Sequence, residues 1–149
     1  MTDPYLALQV LMMPKDANGL PPVPGGPPST YQLTIFGGVL LSYIDQAGAI
    51  GAIREVTRAC GVAPSVVTVA INRVEFKQPV FVGDVVRFLT RVVKLGRTSI
   101  TMQVHVEAER ATQVLRVTEA ELVYVGIDLT TPDRRPKPLL PEGDPPSSR

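Results

Sequence analysis

The sequence predicts an α+β fold in which a curved antiparallel sheet of about five strands wraps around one long central helix. Two patterns predict it: an apolar, proline-free stretch from Gly37 to about Cys60, and period-two alternation of apolar and polar residues from Ser65 to Ile127. Most of the 15 prolines lie outside these stretches, in Leu20 to Pro28 and in Pro132 to Pro146. Missing backbone donors disfavour regular structure in those two segments.

The length and composition are those of one globular domain. The chain has 149 residues, of which 44% are apolar and 19% charged. We predict a single domain over residues 1–130, with a proline-rich insertion at about 20–33, and a flexible proline-rich tail over 131–149 that lies outside the core. The net charge of +1 gives no electrostatic reason to expect a nucleic acid partner.

Neither a membrane span nor a metal site is expected. No apolar run approaches the roughly 20 residues that cross a bilayer, and Asp3 and Pro4 do not fit a secretory signal, so a cytoplasmic location is predicted. Cys60 and His105 are the only cysteine and histidine. One of each excludes an internal disulfide and cannot form the usual kind of zinc site within one chain.

The first elements are a strand and the helix. Tyr5 to Met12 can pair as a fifth strand of the sheet. The helix would be roughly 35 Å long at about 1.5 Å per residue, enough to cross a small domain. One sheet of this size cannot cover it, so we expect at least a homodimer. The apolar residues that surround most of the helix are Leu40, Leu41, Ile44, Ala47, Ile50 and Ile53.

Four strands are predicted after the helix. In the clearest of them, alternate residues are apolar and the residues between them are polar, which is typical of a strand with one buried face. The first changes its apolar face near Asn72 and Arg73, which indicates a bulge or a change of neighbour. The predicted strands are Val66 to Phe76, Val86 to Val92, Ile100 to Ala108 and Thr118 to Tyr124.

Asp45 is the first candidate site residue, because it is a carboxylate in the middle of the apolar helix. Loss of hydration there is costly, so the residue needs either a hydrogen-bonding partner or a function. One reading is a structural acid bound to nearby backbone or facing a solvent-filled seam. The other is a general base or nucleophile beside an apolar pocket.

The paired glycines at the start of the helix favour the functional reading. Gly37 and Gly38 allow a ligand to approach the free N–H groups and the positive end of the helix dipole, where an anionic oxygen is stabilised. They can equally make only the turn into the helix. Gly37 and Asp45 lie roughly 12 Å apart along one helix, so two antiparallel helices in a dimer would be needed to bring them to one substrate.

Four blocks along the chain carry a family resemblance. They occur in a fixed order, within a resemblance that covers about residues 8 to 128: Met12 to Gly19, Thr34 to Asp45, Val74 to Val86, and Lys94 to Ile100. Together they resemble the hotdog acyl-CoA thioesterases. The resemblance implies the hotdog fold and hydrolysis of an acyl-CoA to a free acid and CoA. CoA is then part of the substrate, and no separate cofactor is expected.

The resemblance also implies roles for single residues. Asp45 matches the family's catalytic acid, and Gly37 and Gly38 match its oxyanion donors. Asn18 matches a position that helps to hold substrate or water across the dimer, although an Asn-Gly turn is its ordinary reading. In related sequences the Asn-Gly and Phe-Gly-Gly blocks lie close together, whereas here Leu20 to Leu33 separates them.

A turn of three residues matches the family segment that approaches the CoA phosphates. Arg97, Thr98 and Ser99 offer a cation and hydroxyls for that purpose, and an exposed hairpin turn is the alternative reading. Arg134, Arg135 and Lys137 are read as solvated charges, His105 as a surface or interface residue, and Cys60 as packing. Dimer, tetramer and hexamer remain open, and the resemblance implies a trimer of dimers as one assembly.

Three functions are alternatives to a thioesterase that uses the Asp45 carboxylate. A serine hydrolase is disfavoured because no Gly-x-Ser-x-Gly segment occurs. A dehydratase of the same fold is disfavoured because no histidine lies near the predicted helix. A non-catalytic acyl-CoA binding or sensing module of the hotdog fold remains the alternative, and it would bind the ligand without turnover.

Overall fold

The predicted long helix is present with the predicted bounds. In a computed structural model that describes residues 3–19 and 33–141, α1 spans Gly37–Cys60, and Gly61 ends it with a left-handed φ of 78°. A short 3-10 helix spans Pro14–Asp16. The strands are β1 (Tyr5–Leu11), β2 (Val66–Asn72), β3 (Val85–Leu95), β4 (Ser99–Arg110) and β5 (Gln113–Gly126).

The strands form one sheet in the order β1-β3-β4-β5-β2, and every neighbouring pair is antiparallel. The predicted α+β architecture, a five-stranded antiparallel sheet around one helix, is therefore confirmed. Among residues 3–19 and 33–141, no helix is long and apolar enough to span a membrane.

The core lies between α1 and one face of the sheet. On β4 the buried side chains are the alternate apolar residues that the period-two pattern predicted, from Ile100 to Ala108. The face of α1 that packs against the sheet includes small residues. A side chain at Gly51 would overlap Thr90 and come within 2.9 Å of Met102, so the close approach of helix and sheet depends on this glycine.

The strand after the helix ends earlier than predicted. The expected strand from Val66 to Phe76 stops at Asn72, and Arg73 has a φ of 44°. That left-handed conformation interrupts an extended strand. The change of face expected near Asn72 and Arg73 therefore marks the end of β2, while the register shift of this strand lies between Thr68 and Ala70.

The prediction that the tail lies outside the core is wrong for its first part. The chain turns after Asp128 and returns along the sheet: Lys137 donates to the Gly126 carbonyl at 2.7 Å and Leu139 to the Arg97 carbonyl at 3.0 Å. Leu139 is 5% exposed and belongs to the core. Prolines alternate here with residues that keep their N–H, so ladder-like bonds form despite the composition. Residues 142–149 lie outside the described residues.

The two ends of the predicted insertion are joined. Asn18 donates its backbone N–H to the Thr34 carbonyl at 2.8 Å, and Ala17 pairs with Ile35 in an antiparallel bridge. Residues 20–32, which make up nearly all of the insertion, lie outside the described residues. The segment before the insertion therefore lies beside the residues that lead into α1.

A loop between β2 and β3 supports the start of the helix. Ile35 donates to the Val80 carbonyl at 2.8 Å, and Thr34 pairs with Phe81. The loop is anchored by Asp84, which is 2% exposed and accepts two hydrogen bonds from Arg110, at 3.0 and 2.8 Å. The hydrogen bond and charge of Asp84 raise the pKa of Arg110.

Candidate active site

Asp45 is half-buried and lies where α1 meets the end of the sheet. Thr68 of β2 donates a hydrogen bond to its Oδ1 at 2.6 Å. Tyr124 of β5 donates to its backbone carbonyl at 2.7 Å and lies 3.3 Å from the same Oδ1. Within residues 3–19 and 33–141, neither a salt bridge nor a hydrogen bond to Oδ2 involves this carboxylate. The hydroxyls of Thr68 and Tyr124 thus contact one and the same oxygen of the Asp45 carboxylate.

Tyr124 is a buried phenol rather than a surface tyrosine. Its side chain is 1% exposed, and burial, followed by the neighbouring Asp45 carboxylate, raises its pKa. The hydroxyl therefore stays protonated and acts as a hydrogen-bond donor at neutral pH. A buried Tyr hydroxyl normally finds a partner, and here the partner is Asp45.

The amides of Gly37 and Gly38 stand at the open end of α1. Among the described residues, no carbonyl or side-chain oxygen accepts a hydrogen bond from either N–H, whereas the N–H of Val39 already bonds Phe36 at 3.1 Å. The first N–H groups of a helix have no partner within the helix. With the dipole of a long helix behind them, these two amides can stabilise an anionic oxygen.

Asn18 lies beside the start of the helix despite the insertion. Its side-chain Nδ2 donates to the Thr34 hydroxyl at 2.7 Å, three residues before Gly37. The separation in sequence introduced by residues 20–33 is therefore not a separation in space. Asn18 and the two glycine amides form one group at this end of the molecule.

The turn Arg97 to Ser99 lies close to Tyr124 in the sheet. Ser99 pairs with Val125 and Ile100 pairs with Tyr124, so the three residues of the turn lie one to three positions before the residue that pairs with Tyr124. At about 3.3 Å per residue, Arg97 lies roughly 10 Å from that residue along the strand. The returning tail contacts this turn, because Leu139 donates to the Arg97 carbonyl at 3.0 Å.

The predicted site residues of one chain thus fall into two groups. Asp45 contacts Thr68 and Tyr124, with the turn at Arg97 further along the same strands, while Gly37 and Gly38 lie beside Asn18. Because eight residues of helix separate Gly37 from Asp45, roughly 12 Å, one chain does not bring the acid and the amides to one carbonyl. The arrangement requires a second chain if both groups act on one substrate.

The remaining polar candidates lie outside these groups. His105 lies on the outer face of the sheet, with ring nitrogens 3.3 Å from Glu107 and 3.2 Å from Glu119. Cys60 is half-buried near the end of α1 and packs against the core. The described ranges hold no group of three His, Cys, Asp or Glu side chains that could bind a metal ion.

Sequence reasoning missed the two residues that hold Asp45. Thr68 and Tyr124 were assigned only to strands, since their contacts span 23 and 79 residues of sequence. One signal was present: a tyrosine on the apolar face of a predicted strand must find a partner for its hydroxyl. The identity of that partner depends on the sheet order, which the sequence pattern does not specify.

The chain is similar to known proteins over most of its length. A family model described as the thioesterase superfamily matches residues 33–115. The acyl-CoA thioester hydrolase YciA of Salmonella typhimurium is 36% identical over 143 residues, which cover 93% of this chain and 92% of that protein.

Two solved structures have the same fold. The hexameric thioesterase y2039 from Yersinia pestis superposes with a TM-score of 0.71 at 35% identity, covering 93% of this chain and 97% of that one. Cj0915, a hexameric hotdog fold thioesterase of Campylobacter jejuni, gives 0.69 at 37% identity, covering 90% and 89%. The molecule is a hotdog-fold protein with an acid on its central helix. The chain belongs to the thioesterase superfamily.

Proposed function

We propose that this protein hydrolyses acyl-CoA thioesters to a free carboxylic acid and CoA. The observation that carries the proposal is the Asp45 carboxylate, held through one oxygen by Thr68 and Tyr124 on the central helix of a thioesterase-superfamily fold. Such a carboxylate can activate water as a general base or attack the thioester as a nucleophile. The activity of the YciA relative supports acyl-CoA as the substrate class.

The proposed active site is shared between two chains. Asp45 of one chain acts on the thioester carbonyl, and the amides of Gly37 and Gly38 of the other chain stabilise the developing oxyanion. Asn18 lies with those amides and holds substrate or water. Arg97, Thr98 and Ser99 bind the phosphates of CoA. A two-fold dimer then contains two equivalent sites.

The free edge of the sheet is the proposed dimer contact. β2 is an edge strand, and three of its apolar side chains are exposed: Val67 at 39%, Val69 at 56% and Ile71 at 41%. An exposed apolar edge strand readily pairs with another chain. Antiparallel pairing of two β2 strands would bring the two α1 helices alongside each other. The hexameric state of the Yersinia and Campylobacter proteins supports assembly beyond a monomer.

The direct test is a thiol-release assay with acyl-CoAs of increasing chain length, run on the parent protein and on Asp45→Asn. We expect release by the parent and a reduction of at least about a hundredfold in kcat for Asp45→Asn, because the amide cannot act as a base. Glu55→Gln is the matched control, since Glu55 is a half-buried carboxylate on the same helix that pairs with Arg54.

The outcomes separate enzyme from binding module. Release by the parent and by Glu55→Gln, with loss in a folded Asp45→Asn, supports the proposal. Binding of acyl-CoA with no release by the parent would identify the non-catalytic alternative. A folded Asp45→Asn protein with the parent's rate would remove Asp45 from the mechanism.

Sharing of the site is tested by complementation. Gly37→Pro removes one amide donor at the first helical position, where proline is favoured, and Phe36 before it has an extended ψ of 132° that suits proline. Each of Gly37→Pro and Asp45→Asn alone should be impaired. Mixed dimers of the two should recover activity, because one of their two sites then has both an intact acid and intact amides. Absence of recovery in verified mixed dimers contradicts the shared site.

A further inference from the structure

Tyr124 contacts the helix at the turn that carries Asp45. The same hydroxyl donates to the Asp45 backbone carbonyl at 2.7 Å and lies 3.3 Å from its Oδ1. One phenol therefore touches both the main chain and the carboxylate of a single residue. Because Tyr124 belongs to β5 and is buried, this contact ties Asp45 to an inner strand of the sheet.

Gly48 makes the contact possible. A Cβ placed on Gly48 would overlap the Tyr124 hydroxyl and lie 3.0 Å from its Cζ. Any side chain at this position would push the ring away from the helix. The absence of a side chain at Gly48, one turn after Asp45, thus gives the phenol its place.

We propose that Tyr124, seated against Gly48, is a positioning residue that orients the Asp45 carboxylate for the hydrolysis of the thioester. This inference rests on the proposed function. Tyr124 and Thr68 both hold Oδ1, which turns Oδ2 toward the substrate or the attacking water. Tyr124 does not touch the substrate in this arrangement, and its effect is transmitted entirely through Asp45.

The first test is the kinetics of Tyr124→Phe, which keeps the ring in the core and removes only the hydroxyl. We expect kcat to fall about tenfold, the effect of losing one hydrogen bond to a charged group, while KM stays within about twofold. Thr57→Val is the matched control. Thr57 also donates its hydroxyl to a carbonyl of α1, that of Ile53 at 2.6 Å, but twelve residues from Asp45.

A merely structural role is separated by combining variants. In an Asp45→Asn protein, assayed at high enzyme concentration, Tyr124→Phe should cause no further loss of kcat, because the residue through which it acts is already absent. Gly48→Ala should lower kcat in the same way. Its effect should be smaller in a Tyr124→Phe background, where the overlapping hydroxyl is absent.

Three results would overturn the inference: a folded Tyr124→Phe protein with the parent's kcat, an equal loss in Thr57→Val, or a further loss in the Asp45→Asn background. Each of these can occur while Asp45→Asn itself is impaired, so the positioning role can fail without the proposed function failing. If Tyr124→Phe does not fold, Gly48→Ala tests the same contact from the helix side.

Discussion

Asp45 is held by hydroxyl groups rather than by a cation. Its Oδ1 accepts from Thr68 at 2.6 Å, and its side chain forms no ion pair in the described part of the chain. Hydroxyls orient a carboxylate without neutralising its charge, whereas an arginine would stabilise the ionised form and weaken it as a base. These surroundings are compatible with the proposed role of Asp45 as a general base or nucleophile.

Thr68→Val tests the shorter of the two hydrogen bonds. It removes the hydroxyl while keeping a β-branched side chain on β2. We expect kcat for acyl-CoA hydrolysis to fall about tenfold, since a hydrogen bond to a charged group contributes roughly 1.5 kcal/mol or more. Thr68→Ser, which keeps the hydroxyl, should retain most of the rate. Equal rates for Thr68→Val and the parent would show that this contact plays no part in the reaction.

At the scale of elements, α1 and the central strands were predictable from the sequence alone. The apolar, proline-free run predicted a helix from Gly37 to about Cys60, and the structure ends it there, at Gly61 in a left-handed conformation. The alternation over Ile100 to Ala108 predicted the buried face of β4 correctly. These features are local, so neighbouring residues determine them.

Features that depend on distant partners were not predictable in the same way. The tail returns to the ends of β4 and β5, where Leu139 donates its N–H to the Arg97 carbonyl and packs in the core, and composition averaged over the tail concealed this. Likewise, Asn18 reaches Thr34 across an insertion whose length gives no hint of closure. Asp45 and the two glycines could be named as candidates from the sequence, whereas the residues that hold Asp45 could not.

The loop that supports the start of α1 depends on one buried ion pair. Asp84 accepts from Arg110 at 2.8 Å and from the Phe81 amide at 2.9 Å. Asp84→Asn should lower the free energy of unfolding by about 2–3 kcal/mol, measured by urea denaturation, because the neutral amide cannot satisfy these donors equally well. The value lies below the roughly 3–5 kcal/mol of a fully buried pair because the Arg110 side chain is partly exposed.

Asp133→Asn is the control for Asp84→Asn, because it breaks an exposed ion pair. Asp133 pairs with Arg135 at the same distance, 2.8 Å, but both side chains are exposed. An exposed pair contributes roughly 0–1 kcal/mol, so this variant should unfold close to the parent. Equal destabilisation of the two variants would mean that burial of Asp84 is not what makes its ion pair matter.

At the scale of the whole molecule, the edge of the sheet and the site are coupled. Thr68, which orients Asp45, lies on β2 next to the exposed Val67 and Val69. The strand proposed to join two chains therefore also supports the acid. Assembly and activity should be lost together.

Val69→Glu tests this coupling. A charge at the middle of the edge opposes pairing of two β2 strands, so we expect a smaller assembly and a kcat reduced at least about tenfold. Light scattering coupled to size-exclusion chromatography gives the mass, and thiol release gives the rate. Val114→Glu, at a valine of similar exposure, 57%, near the far end of β5, is the control. A fully active Val69→Glu monomer would contradict the shared site.

The bonded pair Asn18 and Thr34 has a consequence for how this chain can vary. The backbone at Asn18 and the backbone at Thr34 are adjacent. The length of the segment that connects them in sequence therefore does not set the distance between the residues before it and the helix after it. Lengthening a connection costs little, growing only with the logarithm of its length. This junction is consequently a natural graft point, at which the chain can be shortened or a foreign peptide introduced while the neighbouring helix keeps its place.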